Sequence, residues 1–229
     1  MADRRQSMNA AGGVDVQSIY ERRFADSLAF RQQMWDVLCR EFFQAHVAPE
    51  STVVEIGAGY CEFINHIRAA RKVAVDLNPD TRRHAGPDVR VILSSTSRIE
   101  GLEDGVADVV FASNFLEHLT REDILATLRE VRRVLKPSGR FLVLQPNIRY
   151  CKEDYWQFFD HITPLCERSL TEALETTGFD VPYVLGRFLP FTTQGRLPNS
   201  ILLLKLYLKL RPAWRVFGQQ SFFIATPRA

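Results

Sequence analysis

Apolar side chains recur at helical spacing near the start of the chain. Steps of three and four residues separate the periodic positions between Tyr20 and Phe42. This spacing predicts one face of a helix from about Val16 to Ala45. The preceding residues 1–14 are small and polar and include a Gly-Gly pair, which predicts a flexible tail. We therefore expect residues 15–48 to form a helical cap on a domain that occupies residues 49–229.

Short apolar runs rich in valine and isoleucine alternate with helical patterns along the rest of the chain. Helices are predicted between them, including one from Arg121 to Lys136 with a capping box at Thr120 and one capped at Ser169. Strands that alternate with helices indicate right-handed βαβ units and a mainly parallel α/β sheet. The predicted strands are 52–56, 72–76, 89–93, 107–112 and 140–144, with further candidates at 181–189 and 222–226.

Ligands of parallel sheets bind outside the carboxyl ends of the strands. In this chain those ends are the segments 55–61, 76–79, 94–96, 113–118 and 145–150. We therefore expect the residues of a functional site to come from these five segments.

A glycine-rich turn follows the first predicted strand. Gly57 and Gly59 allow a ligand to approach the backbone closely, and Asp76 ends the second strand 19 residues after Gly57. An acid at that position accepts from both ribose hydroxyls, so the pattern predicts a cofactor that contains a nucleoside. A dinucleotide site requires a third glycine, where this chain has Glu62, and Glu55 repels a diphosphate but suits a cationic ligand. A NAD-dependent oxidoreductase is the alternative hypothesis.

Four segments occur in an order and at spacings that resemble a known family. They are Val-Val-Glu-Ile-Gly-Ala-Gly at 53–59, the acid Asp76, Asp-Val-Val-Phe-Ala-Ser-Asn-Phe-Leu-Glu-His-Leu at 108–119, and Leu-Lys-Pro-Ser-Gly-Arg-Phe-Leu-Val at 135–143. Together they resemble the class I S-adenosylmethionine-dependent methyltransferases over about residues 53–179. The resemblance implies a Rossmann-like three-layer sandwich, whose mainly parallel seven-stranded sheet ends in an antiparallel hairpin. It also implies S-adenosylmethionine as the methyl donor.

The resemblance also implies which residues bind the cofactor. By that similarity Glu55, Gly57 and Gly59 line the methionine part, and Asp76 binds the ribose. In the same way we expect further cofactor contacts from Leu77, Ser95 and Asn114.

Two positions depart from the family's pattern. Cys61 stands where a third glycine is usual, and Ser94, Ser95 and Thr96 stand where an acid near the adenine is frequent. Hydroxyls are weaker hydrogen-bond partners than a carboxylate. A catalytically degenerate cofactor-binding module is therefore a further alternative.

Two histidines are candidates for the base of a methyl transfer. A sulfonium methyl is already activated, so the protein mainly has to hold the acceptor in line with it. A hydroxyl acceptor also needs a base, and histidine suits that role near pH 7. His118 follows the fourth strand and His161 lies beyond the fifth, both on the ligand side of the sheet. The alternative is that both side chains only pack within their loops.

Aromatic residues crowd the segment that follows the fifth strand. Such rings line acceptor pockets and stack on sugar faces, although they can also close the core beneath the N-terminal helix. We expect O-methylation of a small-molecule or glycan acceptor, and a lipid-linked sugar is one candidate. The predicted substrate-binding residues are Tyr150, Tyr155, Trp156 and Phe159.

The net charge of +2 is unevenly distributed along the chain. Seven lysines and arginines and no acid follow residue 180, which leaves the first 180 residues with a net charge of −5. Within this basic part, residues 192–218 form a predicted helical insertion, with Lys205 and Lys209 on one face and apolar residues around them. This pattern suits peripheral contact of residues 200–215 with an anionic membrane. The alternative is that the insertion packs on the sheet or on a second subunit.

Composition argues against several other classes of protein. The net charge is too small to predict a nucleic-acid-binding surface, and no run of 18 apolar residues predicts a membrane-spanning helix. The four cysteines lack metal-site spacing, so we expect no metal and reduced thiols. Residues 1–14 contain no apolar core of a secretory signal. We therefore expect a cytoplasmic protein, with the inner membrane surface as the place of any membrane contact.

Overall fold

The computed structural model describes residues 28–191 and 200–228 of the chain. Within these residues the strands are β1 (Thr52–Ile56), β2 (Arg71–Asp76), β3 (Val89–Leu93), β4 (Ala107–Ser113), β5 (Leu135–Pro146), β6 (Phe179–Leu185) and β7 (Gln220–Pro227). The helices are α1 (Leu28–Glu41), α2 (Glu62–His66), α3 (Thr81–His84), α4 (Arg121–Val134), α5 (Ile148–Cys151), α6 (Glu167–Thr176), α7 (Ile201–Lys209) and α8 (Arg211–Phe217). Short 3-10 helices lie at Phe43–His46, Leu116–His118 and Lys152–Gln157.

The strands form one mixed sheet in the order β3-β2-β1-β4-β5-β7-β6. Strands β1 to β5 are parallel, whereas β7 runs antiparallel to both β5 and β6. This arrangement confirms the predicted mainly parallel seven-stranded sheet with an antiparallel C-terminal hairpin. The strand order reverses between β1 and β4, which places the expected ligand crevice at their carboxyl ends.

Helices cover both faces of the sheet because its central strands are apolar on both sides. Val54 and Ile56 belong to the hydrophobic core that includes residues of α4 and α6, whereas Val53 and Phe111 belong to the core that includes residues of α1 and α2. Successive side chains of a strand point to opposite faces, so a strand buried on both faces has a continuous apolar run. The predicted three-layer α/β sandwich is therefore confirmed.

Stacked and edge-on aromatic rings hold α1 against the sheet. Trp35 on α1 lies 6.0 Å from Phe43 and 6.1 Å from Phe111 between ring centroids. Phe63 on α2 stacks on Phe111 at 3.7 Å. The predicted helix to Ala45 instead ends at Glu41 and is followed by a 3-10 turn. Its predicted first part, together with the predicted tail, lies outside the described residues.

Two helix boundaries differ from the sequence-based predictions. The side chain of Thr120 accepts a hydrogen bond from the Asp123 backbone as predicted, but α4 ends at Val134 because Leu135 already pairs with Ala107 in the sheet. Helix α6 is capped by Cys166 rather than by Ser169. The Ser169 hydroxyl instead accepts the Cys166 backbone N–H, so the predicted cap lies three residues too late.

Helices α7 and α8 fill the connection between β6 and β7. The Tyr207 hydroxyl donates to the Phe188 carbonyl, and Trp214 Nε1 donates to the Tyr207 carbonyl at 2.9 Å. These bonds fix the insertion against the core formed by α1 and α2, to which Trp214 and Leu204 contribute. Among the residues that the structure describes, no helix combines the length and the hydrophobicity needed to span a bilayer.

Candidate functional site

The turn between β1 and α2 uses three residues with left-handed backbone. The φ angles are 60° at Gly57, 46° at Gly59 and 55° at Cys61. A Cβ on Gly59 would meet no atom of the described residues within 4 Å, so the concave side of the turn is open there. A Cβ on Gly57 would lie 2.3 Å from the Phe115 ring. Gly59 therefore leaves room for a ligand, whereas Gly57 leaves room for a neighbouring side chain.

Cys61 adopts a left-handed backbone conformation, which is the region that favours glycine. Its side chain is fully buried, and its Sγ lies 3.7 Å from the Thr81 carbonyl oxygen. Burial, followed by the charge of Glu55, raises the pKa of this thiol well above its usual range. The side chain therefore points into the core, and it does not narrow the open side of the turn.

Asp76 joins the end of β2 to the glycine turn. Its Oδ2 accepts the Gly59 N–H at 2.8 Å, and its Oδ1 accepts the Asn78 N–H at 2.8 Å. Burial raises the pKa of the Asp76 carboxyl, and the backbone N–H groups act in the opposite direction. Each carboxylate oxygen retains a second lone pair for a ligand. The adjacent Leu77 is 67% exposed, which leaves an apolar surface beside the carboxylate.

Glu55 lies beneath the turn rather than on its open side. Its Oε2 accepts the Ile64 N–H at 2.9 Å in the first turns of α2, and the residue is buried. Burial raises the pKa of the Glu55 carboxyl well above its usual range, although the bond from Ile64 opposes this shift. The side chain thus stabilises the start of α2, directly behind the glycine turn.

The other predicted cofactor residues lie at the ends of β3 and β4. The Ser95 hydroxyl is 2.7 Å from the Ser97 hydroxyl, within the turn that follows β3. Asn114 has a φ of 47°, and its Nδ2 donates to the Ser113 hydroxyl at 3.0 Å. Both positions lie on the carboxyl side of the sheet, where the site residues are expected.

Three ionisable side chains converge at the carboxyl ends of β4 and β5. Glu117 Oε1 lies 3.9 Å from His118 Nε2 and 4.0 Å from His161 Nε2. The two imidazole rings are 4.9 Å apart between centroids. Backbone bonds create this approach, because Ile162 N–H and Thr163 N–H both donate to the Glu117 carbonyl at 3.0 Å. The structure therefore brings together the two candidate bases, which are 43 positions apart in the sequence.

Glu117 also belongs to this group, although it is not among the site residues predicted from the sequence. It is 0% exposed, and burial raises the pKa of its carboxyl while the neighbouring His118 opposes the shift. Gln145 Nε2 donates to Glu117 Oε2 at 2.8 Å. The signal that was available is the acid itself, which lies between the apolar Leu116 and the candidate base His118 at a strand end.

The predicted aromatic residues of the acceptor side divide into two groups. Tyr155 is fully buried, its hydroxyl donates to the Thr163 carbonyl, and its ring lies 4.6 Å from that of His161. Tyr150 lies beneath the Arg187 guanidinium, 4.6 Å from its ring centroid. Trp156 and Phe159 are 56% and 78% exposed. Tyr155 thus supports the histidine, while Trp156 and Phe159 present apolar surface.

Comparisons of the sequence and of the fold with known proteins find similar proteins among methyltransferases. Residues 54–143 match the family model described as a methyltransferase domain. A probable S-adenosylmethionine-dependent methyltransferase of Mycolicibacterium smegmatis is 33% identical over 153 residues, which cover 63% of this chain and 58% of that relative. The matched part of this chain therefore spans little more than half of that relative's length.

Solved structures share the fold at lower sequence identity. A SAM-dependent methyltransferase of Archaeoglobus fulgidus has a TM-score of 0.65 at 22% identity, covering 93% of this chain and 100% of its own. A geranyl diphosphate C-methyltransferase of Streptomyces coelicolor has a TM-score of 0.57 at 17% identity, covering 83% of this chain and 77% of its own. At these identities the likeness is one of fold.

Proposed function

We propose that this chain is a class I S-adenosylmethionine-dependent methyltransferase, and that it transfers the methyl group of that cofactor to an acceptor hydroxyl. The match of residues 54–143 to the methyltransferase-domain model, the curated relative and the shared fold support this proposal. The family and the fold imply S-adenosylmethionine as the cofactor. The oxidoreductase alternative loses its support, because the matched domain and the missing third glycine both favour the sulfonium cofactor.

One observation carries the cofactor part of the proposal. The open side of Gly59, the Asp76 carboxylate and the exposed Leu77 face the same end of the sheet. This set fits the methionine part, the ribose and the adenine of the cofactor in that order. We propose that Glu55, Ser95 and Asn114 complete the site, with Glu55 acting from behind the turn. The inward side chain of Cys61 removes one of the two reasons to expect a degenerate site.

The acceptor lies, in our proposal, on the side of the sheet where β4 and β5 end. Methyl transfer breaks the carbon–sulfur bond of the cofactor and forms a bond from the acceptor oxygen to the methyl carbon, while the hydroxyl proton must leave. His161 and His118 are the candidate bases for that proton, and Trp156 and Phe159 offer exposed rings to a sugar or a small molecule. The fold leaves the methylated atom open, since a C-methyltransferase shares it.

A titration with S-adenosylmethionine tests the cofactor assignment. We expect the wild type to bind S-adenosylmethionine and not NADH in calorimetry. Asp76→Ala should bind it at least about tenfold more weakly, because hydrogen bonds to a carboxylate contribute about 1.5–3 kcal/mol each. Asp180→Ala, which removes an exposed acid of the edge strand β6, is the matched control and should bind as the wild type does. Tight NADH binding, or equal affinities of both variants, would overturn the assignment.

We also propose that α7 and α8 contact an anionic membrane, on the cytoplasmic side, where a lipid-linked acceptor would be presented. Leu202, Leu206 and Phe217 are 76%, 52% and 49% exposed. Seven basic residues and no acid follow residue 180. Exposed apolar side chains flanked by lysine and arginine are typical of helices that bind at membrane interfaces.

Vesicle sedimentation tests the membrane contact. We expect binding to phosphatidylglycerol–phosphatidylcholine vesicles and little binding to phosphatidylcholine alone. Each basic residue near the surface contributes about 1 kcal/mol, so Lys205→Glu with Lys209→Glu should weaken binding at least about tenfold. The matched double variant Arg83→Glu with Arg98→Glu reverses the same number of exposed charges elsewhere and should weaken it less. Equal loss in both double variants would contradict the proposed surface.

A further inference from the structure

The group formed by Glu117, His118 and His161 has the composition and geometry of a cation site. Each residue offers one ligand atom, and the three atoms all lie within 4.8 Å of one another. Two imidazole nitrogens and one carboxylate oxygen are ligands that divalent transition metals accept together. A tetrahedral ion with metal–ligand bonds of about 2.0–2.2 Å holds its ligand atoms about 3.4 Å apart. The two Glu117 distances of 3.9 and 4.0 Å are somewhat longer, so the side chains would close on a bound ion by about half an ångström.

Neighbouring groups hold two of the three residues, His118 and Glu117, by hydrogen bonds of the kind that orient ligands in metal sites. His118 Nδ1 lies 3.0 Å from the Asp160 carbonyl oxygen, which accepts its N–H and leaves Nε2 as the lone-pair nitrogen facing Glu117. Gln145 donates to Glu117 Oε2 and so orients Oε1 toward the two rings. A ligating histidine almost always donates its other ring N–H to a carbonyl or a carboxylate. The side chains of His118 and Glu117 are therefore oriented toward the centre of the group.

One buried oxygen in the group lacks the partner that burial normally requires. Glu117 Oε1 has no hydrogen-bond partner among residues 28–191 and 200–228, although the residue is 0% exposed. A buried carboxylate oxygen without a donor is costly, and buried charges are usually paired or coordinate a metal. A cation between Oε1 and the two imidazoles would satisfy this oxygen.

We propose that Glu117, His118 and His161 bind one divalent first-row transition cation at the acceptor side of the site. Three protein ligands leave a coordination position open, and an acceptor oxygen can occupy it. This inference rests on the proposed function for its role in the reaction. A bound cation lowers the pKa of a ligated hydroxyl, whose proton then leaves to solvent before the oxygen attacks the methyl carbon. The histidines then act as ligands, and no imidazole has to be the base.

Cobalt binding by the untagged, chelator-treated chain tests the site without any acceptor. We expect one Co²⁺ per chain with visible ligand-field absorption, which Zn²⁺ should displace. Glu117→Gln and His161→Asn should each bind Co²⁺ at least about tenfold more weakly, since even the loss of a residue that only orients a metal ligand lowers metal affinity about 10–100-fold. His66→Gln is the matched control, because His66 lies on α2 and contacts the Glu62 carbonyl oxygen, away from the group. Circular dichroism establishes whether each variant is folded. If one of them is unfolded, His118→Asn is used in its place, because the His118 side chain is partly exposed.

The same samples separate failure of this inference from failure of the proposed function. S-adenosylmethionine binding is measured with and without Co²⁺, and we expect it to be retained in the folded variants. No Co²⁺ binding by folded wild type, or equal binding by all variants, would overturn the cation site and leave His161 as the candidate base. Loss of S-adenosylmethionine binding by the wild type would instead overturn the proposed function.

Discussion

The regions that we propose as the cofactor side and the acceptor side of this molecule are built in different ways. The cofactor side uses backbone, namely the turn with positive φ at Gly57, Gly59 and Cys61 and the N–H groups that Asp76 accepts. The acceptor side uses side chains, chiefly Glu117 and His161, that converge from separate segments. Backbone geometry leaves a local mark in the sequence, because few residues adopt a left-handed φ easily. The convergence of side chains from distant segments leaves no comparable pattern within one stretch of the sequence.

Within each of these two regions, some residues face open space and others contact only the rest of the protein. Gly57 and Gly59 look alike in the sequence, yet only Gly59 faces open space, while Gly57 faces the Phe115 ring. Tyr155 and Trp156 are adjacent aromatics, yet one is buried and the other is 56% exposed. Substitutions at such pairs of nearby residues therefore test which member contacts a ligand and which contributes to stability.

The largest expected effect comes from Gly57→Ala. Its Cβ would lie 2.3 Å from the Phe115 ring at a φ of 60°, so overpacking of about 1–3 kcal/mol adds to left-handed strain of about 1–2 kcal/mol. Urea unfolding should show a loss of about 3 kcal/mol. Gly59→Ala should lose only about 1 kcal/mol of stability but bind S-adenosylmethionine far more weakly, because its Cβ enters the open side of the turn. Similar stability losses in the two variants would contradict the distinction between these glycines.

A pH-dependent effect is expected for Glu55→Gln. The raised pKa of buried Glu55 means that the folded state keeps its proton where the unfolded state has lost it. Its contribution to stability therefore falls as pH rises above the ordinary glutamic acid pKa of 4.5. Unfolding at a series of pH values should show the stability of the variant increasing relative to that of the wild type as pH rises. A stability difference independent of pH would show that the carboxyl group does not titrate in this way.

The smallest effects are expected from the aromatic neighbours on the acceptor side. Tyr155→Phe removes a buried hydroxyl bonded to the Thr163 carbonyl, so we expect it to lose about 1–2 kcal/mol in urea unfolding. Trp156→Ala and Phe159→Ala should change stability by less than about 0.5 kcal/mol, because both rings are exposed. Once an acceptor is known, these two variants should raise its KM and leave S-adenosylmethionine affinity unchanged. A stability loss at Trp156 as large as that at Tyr155 would place its ring in the core.

The predicted fold and the predicted glycine turn agree with the structure because their sequence signals are local. Thr52–Ile56 and Val89–Leu93 are strands with the predicted bounds, since short apolar runs bounded by turns have one favourable conformation on a buried sheet. The predicted cap of α6 lies three residues too late, because cysteine is an unusual N-cap residue. Ser169 lies inside the helix, where its hydroxyl accepts a hydrogen bond from the Cys166 backbone. Cap positions depend on backbone contacts that residue type alone does not fix.

The succession of strands and helices, the glycine turn and the acid at the end of β2 can be predicted from local sequence patterns. Each of these depends on residues within one element or on two consecutive βα units, whose parallel packing follows from general rules of handedness. The folded structure is needed to see that Cys61 points inward, that Tyr155 is buried, and that Glu117 lies beside the two histidines. These features could not be predicted because they depend on contacts between segments distant in the chain. Their distances are set by packing of the whole sheet and its loops rather than by local preference.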